Sequence, residues 1–337
     1  MSNIEENLVY RHTFNTQNLI NVYPPKFKHR NKKLVYEISC PPGCTHNGQL
    51  IVSRWLSLPL PAIFSCADLK TKIEERTGYF DYIPRVQNDT EIEWYPNFAH
   101  SDIFCAYAGS LFAQDEMQVV EHPILGSLRE ALLKKEINPL TVEAGKPTPI
   151  TIQGVERRCA IATDINEEQG RLFGLYGNNF ARAKAETIRL ATTPLHPPTI
   201  TNIIAMEAPP GGYGTYTYSE IEYILVTAFT AFSAAKFSSC RESEQKPTVI
   251  IHTGFWGCGA YGGNRVLMAL LQVLAAYLAQ IDCLIFHTGN SVKDRDLASA
   301  QRILDLDLVS NNSTIDSAHL MEKICDMNFH WGVSDGN

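Results

Sequence analysis

The sequence predicts an α/β fold with a central, largely parallel or mixed sheet. Three observations carry this. From about Glu91 onward, short runs rich in β-branched residues alternate with longer apolar stretches of helical length. The junctions between them are proline and glycine clusters such as LHPPT and APPGGYG, which punctuate elements. The chain, at 337 residues with 45% hydrophobic and 19% charged, is large enough to bury an extensive core in one elaborate domain or two small ones.

Taken in order, the first ninety residues mix strand-like runs, KLVYEIS and QLIVSRWLSLPL, with an amphipathic helix candidate, SCADLKTKIEERTG. Ser65 would cap that helix and Gly78 would stop it. This part shows no recognisable chemistry and reads as an accessory region, residues 1–90, ahead of a catalytic domain over 91–337. In the second part EIEWYPNFA is a strand, and FAQDEMQVVEHPILGSLREALLKKE a helix. RRCAIATDI and PTITNIIAMEA are strands, and SEIEYILVTAFTAFSAAKF is a helix. PTVIIHT is a strand, NRVLMALLQVLAAYLAQ a helix and DCLIFHT a strand. Ser219 and Glu220 read as the cap and first turn of their helix.

Charge narrows the functions. A formal net charge of −7 argues against a surface that grips a nucleic-acid backbone, and the basic stretch KFKHRNKK, Lys26 to Lys33, reads as a solvated N-terminal segment. No run approaches the roughly 18 apolar residues of a membrane span, and the opening MSNIEENLVYRH lacks the apolar core of a signal peptide. No membrane partner and a cytoplasmic setting are therefore expected. Nine cysteines at scattered spacings suit reduced thiols. Cys40 and Cys44 with His46 would make half a zinc site, but no second pair has ligand spacing. Buried thiols and no metal are the expectation.

The stretch HTGFWGCGAYGGNRV sets five glycines between the strand TVIIHT and the helix NRVLMALLQVLAAYLAQ. Glycines there free backbone N–H groups to curl around an anion at a helix N-terminus, a geometry suited to a phosphate or diphosphate. Gly257, Gly259 and Gly262 also spell GxGxxG, the dinucleotide fingerprint. Against that reading, the next strand ends in His287-Thr288 with no acid at its far end, and only about 75 residues remain for further βα units. No GK[ST] follows, which excludes a Walker loop. A tight packing turn stays open as the structural alternative.

A second segment, WYPNFAHSDIFCAYAGSLFAQDEMQVVEHP, sets acids Asp115 and Glu116 where a helix begins. Acids in a first helical turn are common by themselves. Combined with the glycine loop, this segment resembles the poly(ADP-ribose) glycohydrolase family of macrodomains. Phe98-Ala99-His100 resembles the family's FAN-like strand end, at the spacing that sets Gln114-Asp115-Glu116 on its Gln-Glu-Glu tripeptide. Trp256 to Asn264 resembles its NWGCGAFGGD loop almost residue for residue. The resemblance spans roughly Glu91 to His287 and implies a three-layer macrodomain-like fold that holds the diphosphate of ADP-ribose, with no cofactor. Two departures stand out: Phe104-Cys105-Ala106 replaces the family's triple glycine, leaving Gly109 nearby, and Asp115 replaces the first glutamate.

On this resemblance Glu116 is the acid/base and Asp115 its partner at the ribose hydroxyls, because cleavage at an anomeric carbon needs a proton donor and a carboxylate. Gln114, Phe98, Asn97, His100 and Gly109 would line the ligand. So would Gly257, Cys258, Gly259, Ala260, Tyr261 and Gly262, with Tyr176 and Phe180 covering the ribose and adenine. The implied activity is release of ADP-ribose from ADP-ribosylated protein. The resemblance to bacterial effector macrodomains that clear arginine-linked ADP-ribose, including from ubiquitin, points to that linkage. There Asp102 and Asp115 would hold the guanidinium. Chain-degrading poly(ADP-ribose) glycohydrolysis and non-catalytic ADP-ribose binding are the alternatives.

Overall fold

The computed structural model describes residues 4–65, 70–83, 90–243, 245–289, 295–308 and 314–336. The chain begins with β1 (Leu8–Asn15), α1 (Thr16–Val22), α2 (Arg30–Ser39), β2 (Gln49–Trp55), β3 (Ile63–Ser65), β4 (Lys72–Arg76) and β5 (Glu91–Phe98). It continues through α3 (Gln114–Glu121), α4 (Ile124–Lys134), the short β6 (Val142–Glu143) and β7 (Lys146–Pro147), and β8 (Ile150–Ile161). Then follow α5 (Asn178–Arg182), α6 (Ala185–Ala191), β9 (Thr192–Met206), α7 (Tyr218–Glu242), β10 (Thr248–Thr253) and α8 (Arg265–Leu278). The last elements are β11 (Cys283–His287), α9 (Arg295–Arg302), β12 (Thr314–Asp316) and α10 (Ser317–Asp326).

Eight strands form one mixed sheet in the order β1-β2-β8-β9-β5-β10-β11-β4. From β9 to β4 the neighbours run parallel, whereas β1, β2, β8 and β9 pair antiparallel. Side chains alternate between the two faces. Trp94 and Ile204 enter one core with α7, α8 and α10, while Tyr95 and Ile203 enter the other with α1 to α4. Helices thus cover both faces, which makes three layers.

Several sequence expectations change here. KLVYEIS is the C-terminal part of α2, not a strand, because Val35 must reach the core from a helix whose opposite side is exposed. The helix expected over 65–78 is instead the strand β4; it pairs parallel with β11 at the sheet edge, where its charged residues suit an edge strand. Residues 66–69 of that stretch lie outside the described residues. His122-Pro123 splits the long helix after Phe112 into α3 and α4. The N-terminal cap of α7 is Thr217, which exchanges hydrogen bonds with Glu220. The boundary at residue 90 is not a division of the sheet, since β1, β2 and β4 belong to it. Finally, α7 is long and apolar enough to span a membrane by length and composition. However, 67% of its most apolar window is buried inside the protein, as in a core helix.

Candidate active site

The parallel strands deliver their C-terminal ends to one edge of the molecule, the usual ligand side of such sheets. Phe98 at the end of β5 lies beside Met206 at the end of β9, and β10 flanks β5 on the other side. The loops that follow carry the acids and the glycines.

The acid turn is tied down from several directions. Gln114 clamps it to β5, its Oε1 accepting the Phe98 N–H (2.8 Å) while its Nε2 donates to the Pro96 carbonyl (3.0 Å). Both ends of this amide are therefore spent on the backbone, which makes Gln114 a positioning residue. Asn97 is fully buried and its Nδ2 donates to Asp115 Oδ1 (3.0 Å) and Gln118 Oε1 (2.9 Å). It holds the acid from behind. Glu116 turns back over the start of α3, where its Oε2 accepts the Ala113 N–H (3.0 Å). Both carboxyls are buried, at 8% and 4% exposure for Asp115 and Glu116. Burial first, and the Glu116 charge second, pushes the Asp115 carboxyl up to about 7, against the pull of the Asn97 amide, Lys32 and Arg129.

Two cations near this pair are not apparent from the sequence. Lys32, expected to be part of a solvated basic segment, is fully buried, and its Nζ donates to the Tyr107 carbonyl (2.8 Å). Burial pushes it down to about 8, while Glu116 and Asp115 pull it back up. Arg129 forms a bidentate pair with Asp102, one arm at 2.7 Å. Asp102 is thus occupied by a protein guanidinium and is not free for a substrate's. No periodicity announces either contact, because the partners lie 75 and 27 residues apart.

The stretch in place of the triple glycine is equally informative. Phe104 is fully buried and adopts φ +57°, the left-handed region that disfavours a side chain. The backbone keeps a glycine-like conformation while the ring fills the core. Cys105 beside it is exposed, within electrostatic reach of Asp115 and Asp102. Gly109 donates its N–H to Ala106 O (3.1 Å), and His100, exposed, accepts the Asp102 N–H at Nδ1 (3.2 Å).

The glycine loop folds on itself through Gly262 N–H to Gly259 O (3.1 Å) and Gly263 N–H to Gly257 O (2.9 Å). Gly257 and Gly262 take φ of +73° and +65°, and a Cβ on Gly257 would stand 2.6 Å from Ala208 Cβ. The N–H groups of Gly259, Ala260 and Tyr261 have no acceptor among the described residues. Three consecutive amides without an acceptor ahead of α8 are an arrangement that suits an anion, and the Asp335 carboxylate lies beside them, 3.0 Å from where a Cβ on Gly259 would stand. Cys258 points its Sγ at Trp256 O (3.6 Å), while Tyr261 lies within electrostatic reach of Asp115, Cys105 and Glu116. The loop and the acids therefore lie at the same edge of the sheet, following the adjacent parallel strands β10 and β5. Residues 331–335 brace the loop from outside: Trp331 stacks on Tyr216 (4.1 Å), Gly332 N–H bonds Gly262 O (2.7 Å) and Asp335 N–H bonds Gly259 O (3.3 Å).

Of the two aromatics expected as a cover, Tyr176 is exposed, against the Gln114 backbone and near Glu116. Phe180 is not a ligand wall. It is fully buried, stacked on Phe112 at 3.8 Å, and its carbonyl accepts from Asn31. His252 and His287, 3.0 Å apart and backed by Glu93, are buried structural groups of β10 and β11.

Residues 173–296 match the sequence family described as "Poly (ADP-ribose) glycohydrolase (PARG), Macro domain fold". Over that segment the chain is similar to divergent macrodomains of the poly(ADP-ribose) glycohydrolase type. The match includes Tyr176 and the glycine loop and leaves out the acids. Among solved structures the chain is similar to poly(ADP-ribose) glycohydrolase from Thermomonospora curvata bound to the inhibitor ADP-HPD. There the identity is 15% over 71% of this chain and 83% of that one, with a TM-score of 0.43. It is also similar to the Deinococcus radiodurans enzyme in complex with ADP-ribose, at 12% identity over 90% and 96% of the two chains and a TM-score of 0.41.

Proposed function

We propose that this macrodomain is an ADP-ribosyl hydrolase that releases ADP-ribose from ADP-ribosylated protein. The observation that carries the reading is the proximity, through Tyr261, of two buried carboxyls to amides without an acceptor among the described residues. A binding module needs the amides but has no use for a buried acid pair beside them. Glycoside cleavage needs one carboxyl that gives a proton and one that steadies an oxocarbenium-like centre. Asp115, fixed by Asn97, suits the ribose hydroxyls. Glu116 is held by a single backbone N–H, so it is the group free to turn toward a leaving group, and it is assigned the acid/base.

For the substrate, mono-ADP-ribosylated protein is proposed ahead of poly(ADP-ribose), with arginine-linked modification first and ubiquitin as the protein to try. Support comes from Cys105, an exposed side chain where the family's glycines let a backbone approach the ligand, whereas the Phe104 ring beside it fills the core. Asp102 no longer contributes, because Arg129 occupies it. The test is to incubate the protein with arginine-ADP-ribosylated ubiquitin, a serine-linked mono-ADP-ribosylated peptide, poly(ADP-ribose) and NAD, and to follow free ADP-ribose by mass spectrometry. Fastest release from the ubiquitin arm is expected. Fastest release from the polymer overturns the substrate order, and no release from any arm while ADP-ribose binds reduces the protein to a reader.

A further inference from the structure

At the end of α2 remote from Lys32, Cys40 caps the helix, a turn closed by Cys44 N–H to Pro41 O (3.0 Å) follows, and His46 enters the protein beside β8. The two Sγ atoms and a ring nitrogen of His46 all lie within 4.8 Å of one another, a grouping found nowhere else among the described residues. Cys44 Sγ stands 3.6 Å from His46 Nε2. Zinc bonds of about 2.3 Å to sulfur and about 2.05 Å to nitrogen, opened to the tetrahedral angle, set an S···N edge of about 3.6 Å.

The second observation concerns the other face of the imidazole. Glu156 Oε2, on β8 and buried, lies 2.6 Å from His46 Nδ1. Arg158 Nη2 also lies 2.9 Å from Nδ1. With the Nδ1 proton directed to the closer carboxylate, which only accepts, Nε2 keeps its lone pair toward the thiols. Glu156 is itself fixed by Arg158 (2.7 Å) and by the Asn47 N–H (2.9 Å), and Gln17 Oε1 accepts the His46 N–H (2.8 Å). A carboxylate that orients a histidine from behind is the usual support of a metal-bound imidazole. Two soft sulfurs and one nitrogen select zinc over magnesium or calcium. Both cysteines are partly exposed, which leaves the fourth position to water.

The geometry points to a zinc site made of Cys40, Cys44 and His46, with Glu156 as its orienting carboxylate, which pins the end of α2 and the following turn to β8. This goes beyond the hydrolase reading and does not depend on it. The full chain is purified with zinc, dialysed, and its metal measured per chain. The stripped protein is then titrated with zinc against a chromophoric chelator, and separately with cobalt. One zinc per chain is expected, with a thiolate-to-cobalt charge-transfer band in the near ultraviolet and a lower melting temperature after stripping. Cys44→Ser should weaken zinc binding by at least about 10²-fold, and Glu156→Gln by about 10- to 100-fold. Cys240→Ser, at an exposed thiol elsewhere, should leave it unchanged. Well under one zinc per chain, a wild-type cobalt spectrum without the thiolate band, or a Cys40–Cys44 disulfide in freshly purified protein overturns the proposal. The cobalt spectrum needs no variant and decides the matter even if the substitutions fail to fold.

Discussion

The acid turn and the glycine loop lie at one edge of the sheet and are built by opposite means. Around Asp115 and Glu116 the polar side chains are committed to partners within the protein. Gln114 clamps β5, Asn97 holds Asp115, and Glu116 caps its own helix. Around Gly259 to Tyr261 the chain offers backbone amides that have no acceptor among the described residues. On the proposed function, the first region would act through carboxyls held largely out of water and the second through bare backbone. A substitution that removes chemistry should therefore act on the first without touching affinity, and one that adds bulk should act on the second without needing any chemistry.

The sharpest break of this contrast is Glu116→Gln. It preserves size and can still accept the Ala113 N–H, but it cannot deliver a proton. Turnover is expected to fall by at least about 10²-fold with ADP-ribose affinity within a few-fold. Single-turnover rates and calorimetric binding measure the two halves. Unchanged turnover would pass the role to Asp115.

Gly262→Val is the counterpart in the loop. It places a branched residue at φ +65°, with its Cβ 3.0 Å from Ser334 N and 3.1 Å from Val333 C. ADP-ribose binding should weaken beyond about 10-fold, at the scale of one or two kcal/mol of backbone strain. A folded variant with wild-type affinity would make the loop a packing turn.

These regions are not equally legible in the sequence. The glycine loop stands out in the sequence because a cluster of glycines is visible without the fold, and the tripeptide because its spacing is local. Lys32 is not, since a lysine in KFKHRNKK looks solvated until α2 turns it inward to Tyr107. Phe180 misleads for a similar reason: only the fold shows Phe112 stacked upon it. The β4 stretch fails as a helix because its charges suit a helix surface and an edge strand alike. In each case the deciding partner is far away in sequence.

A milder test separates the acid from the cation beside it by pH. The Asp115 carboxyl is raised from 3.8 to about 7, so between those values the folded state holds more protons than the unfolded one, and this group's contribution to stability falls as pH rises. Lys32 is lowered from 10.5 to about 8, so across that window the folded state holds fewer protons, and its contribution rises with pH. Relative to wild type, Asp115→Asn should gain stability from about pH 4 to 7. Lys32→Met should gain most near pH 7 to 8 and lose that advantage toward pH 10.5. Urea midpoints across pH measure both. Parallel curves for variant and wild type would show that the carboxyl or the ammonium is not perturbed by burial.

The smallest effect is expected at Gly109, and it tests how far the bare-backbone strategy extends. Gly109 is the glycine left beside the stretch that replaces the triple glycine, and the family resemblance makes it a ligand contact. Its backbone does not take a left-handed φ, and an added Cβ would meet only Ala106 O, at an ordinary 3.5 Å. The fold therefore does not require glycine there. Alanine will tell whether a ligand does. If Gly259 to Tyr261 alone supply amides to the diphosphate, Gly109→Ala should change ADP-ribose affinity by less than about 3-fold, within the few tenths of a kcal/mol usual for an unstrained surface substitution. A loss of about 10-fold or more, with an unchanged melting temperature, would place ligand oxygen against Gly109. The acid turn would then share in holding the diphosphate, and the contrast between the two regions would narrow to the carboxyls themselves.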